Sequence, residues 1–244
     1  MNVLRAIFRL SFIVLFILAL LLRVGWHNLW NKPDQNYILS IRSRWTRRFL
    51  LPVLGVRVHS QGPVPGFPCI IMANHRSYLD PVVICRDVPG MPVSKAEVAR
   101  WPLIGTGVKH TGILFLERES RQSRHKTLLR IGEKVREGII IILFPEGTTD
   151  VHPNTIPFRK GAFQLAAEQD LPIVPVAVEY RNPMDYWIGA DTFIPHIFKR
   201  FGERKMDVYV RYGQPLSSGE ASELIRKTQR WIDGQLKDIR RDFF

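Results

Sequence analysis

Residues 139–149 read Ile-Ile-Ile-Ile-Leu-Phe-Pro-Glu-Gly-Thr-Thr. Six apolar residues in a row with no polar face are short for a helix and predict a strand covered on both sides. Pro145 and Gly147 then close it in a turn. Working outward, runs of similar length rich in Val, Ile or aromatics recur at 56–59, 69–73, 112–117, 173–179 and 206–212. Helical patterns lie between them, at 123–137, 160–169 and 219–240. Strands that alternate with helices predict the α/β class, a layered sheet with flanking helices, over residues 55–244. Pro175, inside the run 173–179, points to an edge strand or a local distortion.

The first 54 residues have a different character. Leu10 to Leu22 is an uncharged apolar run, preceded by Arg5 and Arg9 and followed by Arg23. No small-residue cleavage signature follows it, so this stretch is read as a retained helical membrane anchor. A full span takes about 20 apolar residues, which leaves spanning and shallow insertion both open. Trp26 and Trp30 suit a headgroup region. The next segment, residues 37–54, places Arg42, Arg44, Arg47 and Arg48 among apolar residues, the pattern of a basic amphipathic helix on an anionic leaflet or of a solvated surface helix. Basic flanks predict that the rest of the chain faces the cytoplasm from the inner membrane.

Composition narrows the classes. Apolar residues form 45% and charged residues 23% of the 244, which excludes wholesale disorder and a multi-pass membrane protein. Lys and Arg total 35 against 22 Asp and Glu, a formal charge of +13 that implies an anionic partner. Nucleic acid would fit the charge, yet no basic-aromatic recognition motif appears and the apolar N-terminus would be unexplained. The two cysteines, Cys69 and Cys85, form no CxxC pair and are read as reduced thiols.

Chemistry-bearing residues gather where the predicted strands end. Asn74-His75-Arg76-Ser77-Tyr78-Leu79-Asp80-Pro81 follows the run 69–73. A histidine takes a proton near neutral pH, and a carboxylate on its other ring nitrogen fixes the tautomer. Five residues separate His75 from Asp80, so they meet only if His75 lies in a loop and a helix begins near Asp80. Asp followed by Pro is equally a helix-capping pair, and from spacing alone that reading stays open. Glu146-Gly147-Thr148-Thr149 ends the run 139–144 with a carboxylate, backbone amides and hydroxyls. Arg159 and Lys160 form a basic turn downstream, and Gly112-Ile113-Leu114-Phe115-Leu116-Glu117-Arg118 ends an apolar strand in a cation.

Taken in order, Asn-His-x4-Asp, Gly-x2-Phe-x2-Arg, Phe-Pro-Glu-Gly-Thr and Val-Pro-Val-Ala-Val resemble the glycerophospholipid acyltransferase family, most closely its bacterial 1-acylglycerol-3-phosphate acyltransferases. The resemblance covers roughly residues 50–215, and the segments Ser94-Lys95-Ala96-Glu97 and Pro102-Leu103-Ile104-Gly105 are similar to the family's region between its first two motifs. It implies transfer of a fatty acyl group from acyl-CoA or acyl carrier protein to a lysolipid hydroxyl, with no metal and no other cofactor. It also implies that His75 is the general base and Asp80 its partner, that Arg118, Glu146, Gly147 and Thr148 bind the acceptor, and that the strand 174–178 supports the acyl site. Thr149 stands where the family's third motif usually has Arg, which brings a lyso-ornithine lipid or another lysophospholipid into contention as acceptor. Two rival classes are weighed. A hydrolase would use Ser77 or Thr148, but no Gly-x-Ser-x-Gly elbow is present. A non-enzymatic basic membrane protein would be indifferent to loss of His75.

Overall fold

The computed structural model describes residues 2–96, 112–116, 121–188 and 192–244. Among the described residues, seven strands form one sheet: β1 (Val56–Gln61), β2 (Ile70–Ala73), β3 (Met91–Lys95), β4 (Leu114–Leu116), β5 (Ile141–Leu143), β6 (Ile173–Tyr180) and β7 (Met206–Tyr212). Their order across the sheet is β1-β7-β6-β2-β5-β3-β4, parallel throughout except for the β6–β7 pair. Met72 of β2 is in register with Leu143 on one side and Pro175 on the other, so β2 and β5 end side by side while β6 runs on past them to Tyr180. All four residues of β2 are buried, which accounts for its unbroken apolar sequence.

The helices are α1 (Val3–Trp30), α2 (Gln35–Trp45), α3 (Leu51–Leu54), α4 (Asp80–Asp87), α5 (Arg121–Arg136), α6 (Gly161–Glu168), α7 (Phe193–Phe201) and α8 (Ala221–Phe243), with a widened π turn, Thr46–Leu50, joining α2 to α3. Side chains that alternate along the strands serve two cores. Ile71, Ala73, Val174, Val176 and Val178 pack against α1, α3, α4 and α7, while Ile70, Met72, Ile173 and Ala177 pack against α5, α6 and α8. The amphipathic pattern of residues 219–240 is thus explained by α8, which buries Leu224, Ile232, Leu236 and Ile239.

Every strand read from the sequence is present, and β3 and α7 are additions. Residues 91–95 carry Pro92, Ser94 and Lys95, so they lack the apolar run that marks the other strands. Helix α7 contains Pro195, but at its third residue, where no intrahelical N–H is required. Pro175 proves not to lie on an edge strand, since β6 pairs with β2 and β7. Its missing N–H falls where β7 has ended at Tyr212, and its carbonyl accepts from Gly213 N at 2.9 Å.

Helix α1 lies against the domain with Ala6, Arg9, Phe16, Leu20 and Val24 buried. The Arg9 guanidinium crosses to the carbonyls of Val53, Phe201, Glu203 and Arg204. Gly55, at φ +73°, ends α3 beneath it, and a Cβ there would come within 2.2 Å of Arg9 Nη2. The outer face of α1 leaves Leu4, Phe8, Leu15, Leu18, Leu22, Trp26, Leu29 and Trp30 exposed. The expectation that Arg42 faces a leaflet is corrected: it is buried, donating to the carbonyls of Gly90 and Gly112. Arg44, Arg47 and Arg48 are exposed.

Candidate active site

The chain reverses sharply after β2, and Asn74 anchors that reversal. Its side chain donates to Val178 O at 2.9 Å and accepts from Val178 N at 2.8 Å, tying the end of β2 to β6. His75 then lies in the loop and α4 starts at Asp80, the arrangement their spacing requires. His75 Nδ1 is 2.7 Å from Asp80 Oδ2. Asp80 does not cap its own helix. Its carboxylate turns back to accept from Arg76 N at 2.6 Å and Ser77 N at 2.8 Å, and its other oxygen accepts from the Tyr180 hydroxyl at 2.7 Å.

These bonds decide the protonation pattern. An ionised carboxylate only accepts, so the proton of the imidazole sits on Nδ1 and Nε2 is left as the basic nitrogen. The ring stacks on Phe144 with centroids 4.2 Å apart, and its side chain keeps 21% exposure. It can therefore meet a substrate while its other face stays fixed.

The loop after β5 forms the opposite wall. Glu146 is buried and Oε2 accepts from His75 N at 3.3 Å, whereas Oε1 has no partner among the described residues. Burial pushes its carboxyl up to about 8, only partly offset by the His75 amide and the Arg76 charge. Near neutral pH the acid is largely protonated and can donate as well as accept. Gly147 adopts φ +73°, and Arg159 lies over it so closely that a Cβ would approach its Nε within 2.5 Å. Arg159 is placed by its own amide, which donates to Pro145 O at 2.9 Å. Thr148 is exposed on the rim, with its hydroxyl 3.5 Å from Thr149 O.

Of the residues singled out from sequence, His75, Asp80, Glu146, Gly147 and Thr148 are brought together, while Arg118 lies outside the described residues. Three participants carried no assigned role in the sequence reading. Asn74 and Arg76 stood inside the quoted motif, and Tyr180 ends β6 just beyond the quoted strand. Arg76 is fully buried, donating to Asp150 O at 2.9 Å, with Nε 3.7 Å from Glu179 and its guanidinium 5.5 Å from the Tyr186 ring centre. Glu179 is held in turn by Arg240 of α8 at 2.8 Å. Ser77 is buried, and burial pushes the Cys69 thiol up to about 12 and raises that of Cys85, so none of these is poised as a nucleophile.

Comparison with known proteins places this geometry in context. The family model described as acyltransferase matches residues 55–179, from the start of the sheet domain to β6. A lyso-ornithine lipid O-acyltransferase of Pseudomonas aeruginosa is 29% identical over 197 residues, which is 78% of this chain and 76% of that one. A 1-acyl-sn-glycerol-3-phosphate acyltransferase of Haemophilus influenzae is 33% identical over 144 residues, 57% of this chain and 60% of its own. The crystal structure of the 1-acyl-sn-glycerophosphate acyltransferase of Thermotoga maritima superposes with a TM-score of 0.78 over 100% of this chain and 98% of the other. At 19% identity that last likeness speaks for the fold alone.

Proposed function

This chain belongs to the acyltransferase family, and we propose that it moves a fatty acyl group from a thioester, acyl-CoA or acyl carrier protein, onto the free hydroxyl of a lysolipid. The observation that carries the reading is the 2.7 Å contact between His75 Nδ1 and a fully buried Asp80 at the end of β2. His75 Nε2 removes the proton of the acceptor hydroxyl as its oxygen attacks the thioester carbonyl. The carbon–sulfur bond then breaks, and the imidazolium returns its proton to the departing sulfur, which leaves as the free thiol and restores neutral His75. Acyl transfer is direct, and no group beyond the thioester co-substrate takes part. General base catalysis of this kind is worth roughly 10² to 10⁴ in rate. Glu146 and Thr148 orient the acceptor, and Arg118 joins them in this reading.

Arg159 favours an acceptor with an anionic headgroup. It brings a guanidinium to the Glu146–Gly147 loop although Thr149 supplies none. The first acceptor is therefore 1-acylglycerol-3-phosphate, giving phosphatidic acid. A second reading, lyso-ornithine lipid, is favoured by Thr149 and by a relative of that name aligning over three quarters of both chains.

Helix α1 is long and apolar enough to cross a membrane. Its buried stripe and the Arg9 bonds favour a helix lying along one leaflet, with the exposed Leu, Phe and Trp side chains inserted. We assign the enzyme to the cytoplasmic face of the inner membrane on this basis.

The test uses detergent-solubilised full-length protein with labelled palmitoyl-CoA and, separately, palmitoyl acyl carrier protein. Each donor meets lysophosphatidate, lyso-ornithine lipid and lysophosphatidylethanolamine, with His75→Ala and Arg159→Gln in parallel. Acylation of lysophosphatidate, abolished in His75→Ala and weakened about tenfold in KM by Arg159→Gln, supports the first reading. A preference for lyso-ornithine lipid moves the acceptor and keeps the mechanism. Full activity in His75→Ala sinks the catalytic assignment.

A further inference from the structure

Asp80 is the most heavily hydrogen-bonded carboxylate of the site, and its donors fall into two groups. Three reach Oδ2, and all come from the loop that carries the histidine: His75 Nδ1, Arg76 N and Ser77 N. The fourth comes from across the sheet. Tyr180, the last residue of β6, donates its hydroxyl to Oδ1 at 2.7 Å, 100 residues away in sequence. Both side chains have no solvent exposure, so no water competes for either oxygen. Two loop amides at one oxygen leave the carboxylate free to swing about its Cβ–Cγ bond; a donor at the second oxygen locks that torsion.

We propose that Tyr180 is a positioning residue of acyl transfer, whose phenol fixes the plane of the Asp80 carboxylate and disperses its charge, and through Asp80 sets the orientation and basicity of His75. The inference rests on the reading of His75 as general base. It goes beyond that reading by assigning a role to β6 that is electrostatic as well as structural. A tyrosine kept for packing alone would place its hydroxyl at any available acceptor. This one meets the oxygen that His75 does not use.

Other titratable and charged groups face the pair and are the same residues in every protein compared. They are Arg76 on the histidine's own loop, Glu146 and Asp150 after β5, Glu179 beside Tyr180 on β6, and Asp185, whose charge is felt at the Tyr180 hydroxyl. Burial and the Asp80 charge drive the Tyr180 hydroxyl well above its ordinary pKa, so it remains a donor across any assay range.

Removing the phenol concentrates charge on Asp80, stabilises the imidazolium and raises the pH at which His75 becomes a free base. The acid limb of the kcat/KM profile must therefore move upward. Strengthening the donor must move it downward. The experiment compares full-length Tyr180→Phe, and protein with 3-fluorotyrosine introduced only at position 180, with the parent, using palmitoyl-CoA and whichever lysolipid of the panel above is turned over. Tyr212→Phe is the control, because Tyr212 is also buried and donates to Asp87 at 3.3 Å, far from His75.

The expected result is a fall in kcat of about ten- to a hundredfold in Tyr180→Phe with acceptor KM nearly unchanged, the size of one lost bond to a charged group. The acid limb should rise by about half a pH unit in that variant and fall in the fluorotyrosine protein, while Tyr212→Phe keeps the parent limb. If Tyr180→Phe fails to fold, the fluorotyrosine limb decides alone. An unmoved limb in the fluorotyrosine protein overturns the proposal, as does a Tyr180→Phe effect confined to melting temperature. His75→Ala separates the levels: if it is inactive while Tyr180 leaves the limb in place, only the role of Tyr180 is lost.

Discussion

Two buried carboxylates face each other across this site and hold opposite chemistry. Asp80, after β2, has no exposure and accepts from four donors, whereas Glu146, after β5, has 4% exposure and a single long bond from an amide. Depth is the same and the number of donors is not. The first arrangement gives both oxygens of Asp80 a donor to accept from; at the second, burial drives the carboxyl up to about 8, and Oε1 has no partner among the described residues. Two buried acids thus differ in the polar groups that the fold brings to their oxygens. One wall of the site thus fixes the His75 ring through Asp80, and the other carries a buried carboxyl that keeps hydrogen-bonding capacity in reserve.

The sharpest way to break this contrast is Asp80→Asn. An amide cannot accept from His75, Arg76, Ser77 and Tyr180 together, and its NH2 opposes the loop donors. We expect kcat to fall about 10³- to 10⁴-fold, as loss of the orienting carboxylate does in other histidine-based sites. Activity above a tenth of the parent's would remove Asp80 from the mechanism.

Glu146→Gln probes the other acid, with kcat expected to fall about tenfold. Its clearer signature is thermodynamic. Folding raises this carboxyl from 4.5 to about 8, so the native state holds its proton after the unfolded chain has released it. Stability contributed by that proton is full below 4.5 and is lost as pH rises through about 8. Melting temperature followed across this window should decline less steeply in Glu146→Gln than in the parent. Equal slopes would show that Glu146 is ionised in the folded enzyme.

Gly147→Ala comes next. Its φ of +73° and the nearby Arg159 make a side chain costly, by about 1 kcal/mol for the backbone before Arg159 moves. Acceptor KM should rise about fivefold while the acid limb set by His75 stays in place; a shift of that limb would couple the two walls. The smallest effect is expected at Thr148, exposed on the rim: Thr148→Ala should raise acceptor KM about twofold at constant kcat, measured by the same transfer assay.

The legible parts of the molecule are those whose physics is local. The apolar runs 69–73 and 139–144 announced central strands because a strand covered on both faces has no polar position. The loops 74–80 and 144–149 stood out because polar residues crowd directly after such runs. What stayed hidden depends on partners distant in the chain. Arg42 read as a leaflet or surface cation, and Arg76 received no role, because their acceptors are carbonyls 48–70 and 74 residues away. Tyr180 went unremarked, since nothing nearby in sequence reveals Asp80. Residues 91–95 escaped notice because a strand whose neighbours supply the apolar cover need not be apolar itself.

The reach of Arg9 has a consequence for how the chain is made. Three of its carbonyl partners lie 192 to 195 residues downstream, in the segment 201–204. At synthesis rates of 5–20 residues per second, α1 waits roughly ten to forty seconds before they emerge from the ribosome. During that interval the helix has an unpaired guanidinium and its whole apolar circumference without a domain to rest on. The helix therefore acquires its seat on the protein only near the end of translation, which makes completion of the fold a late event.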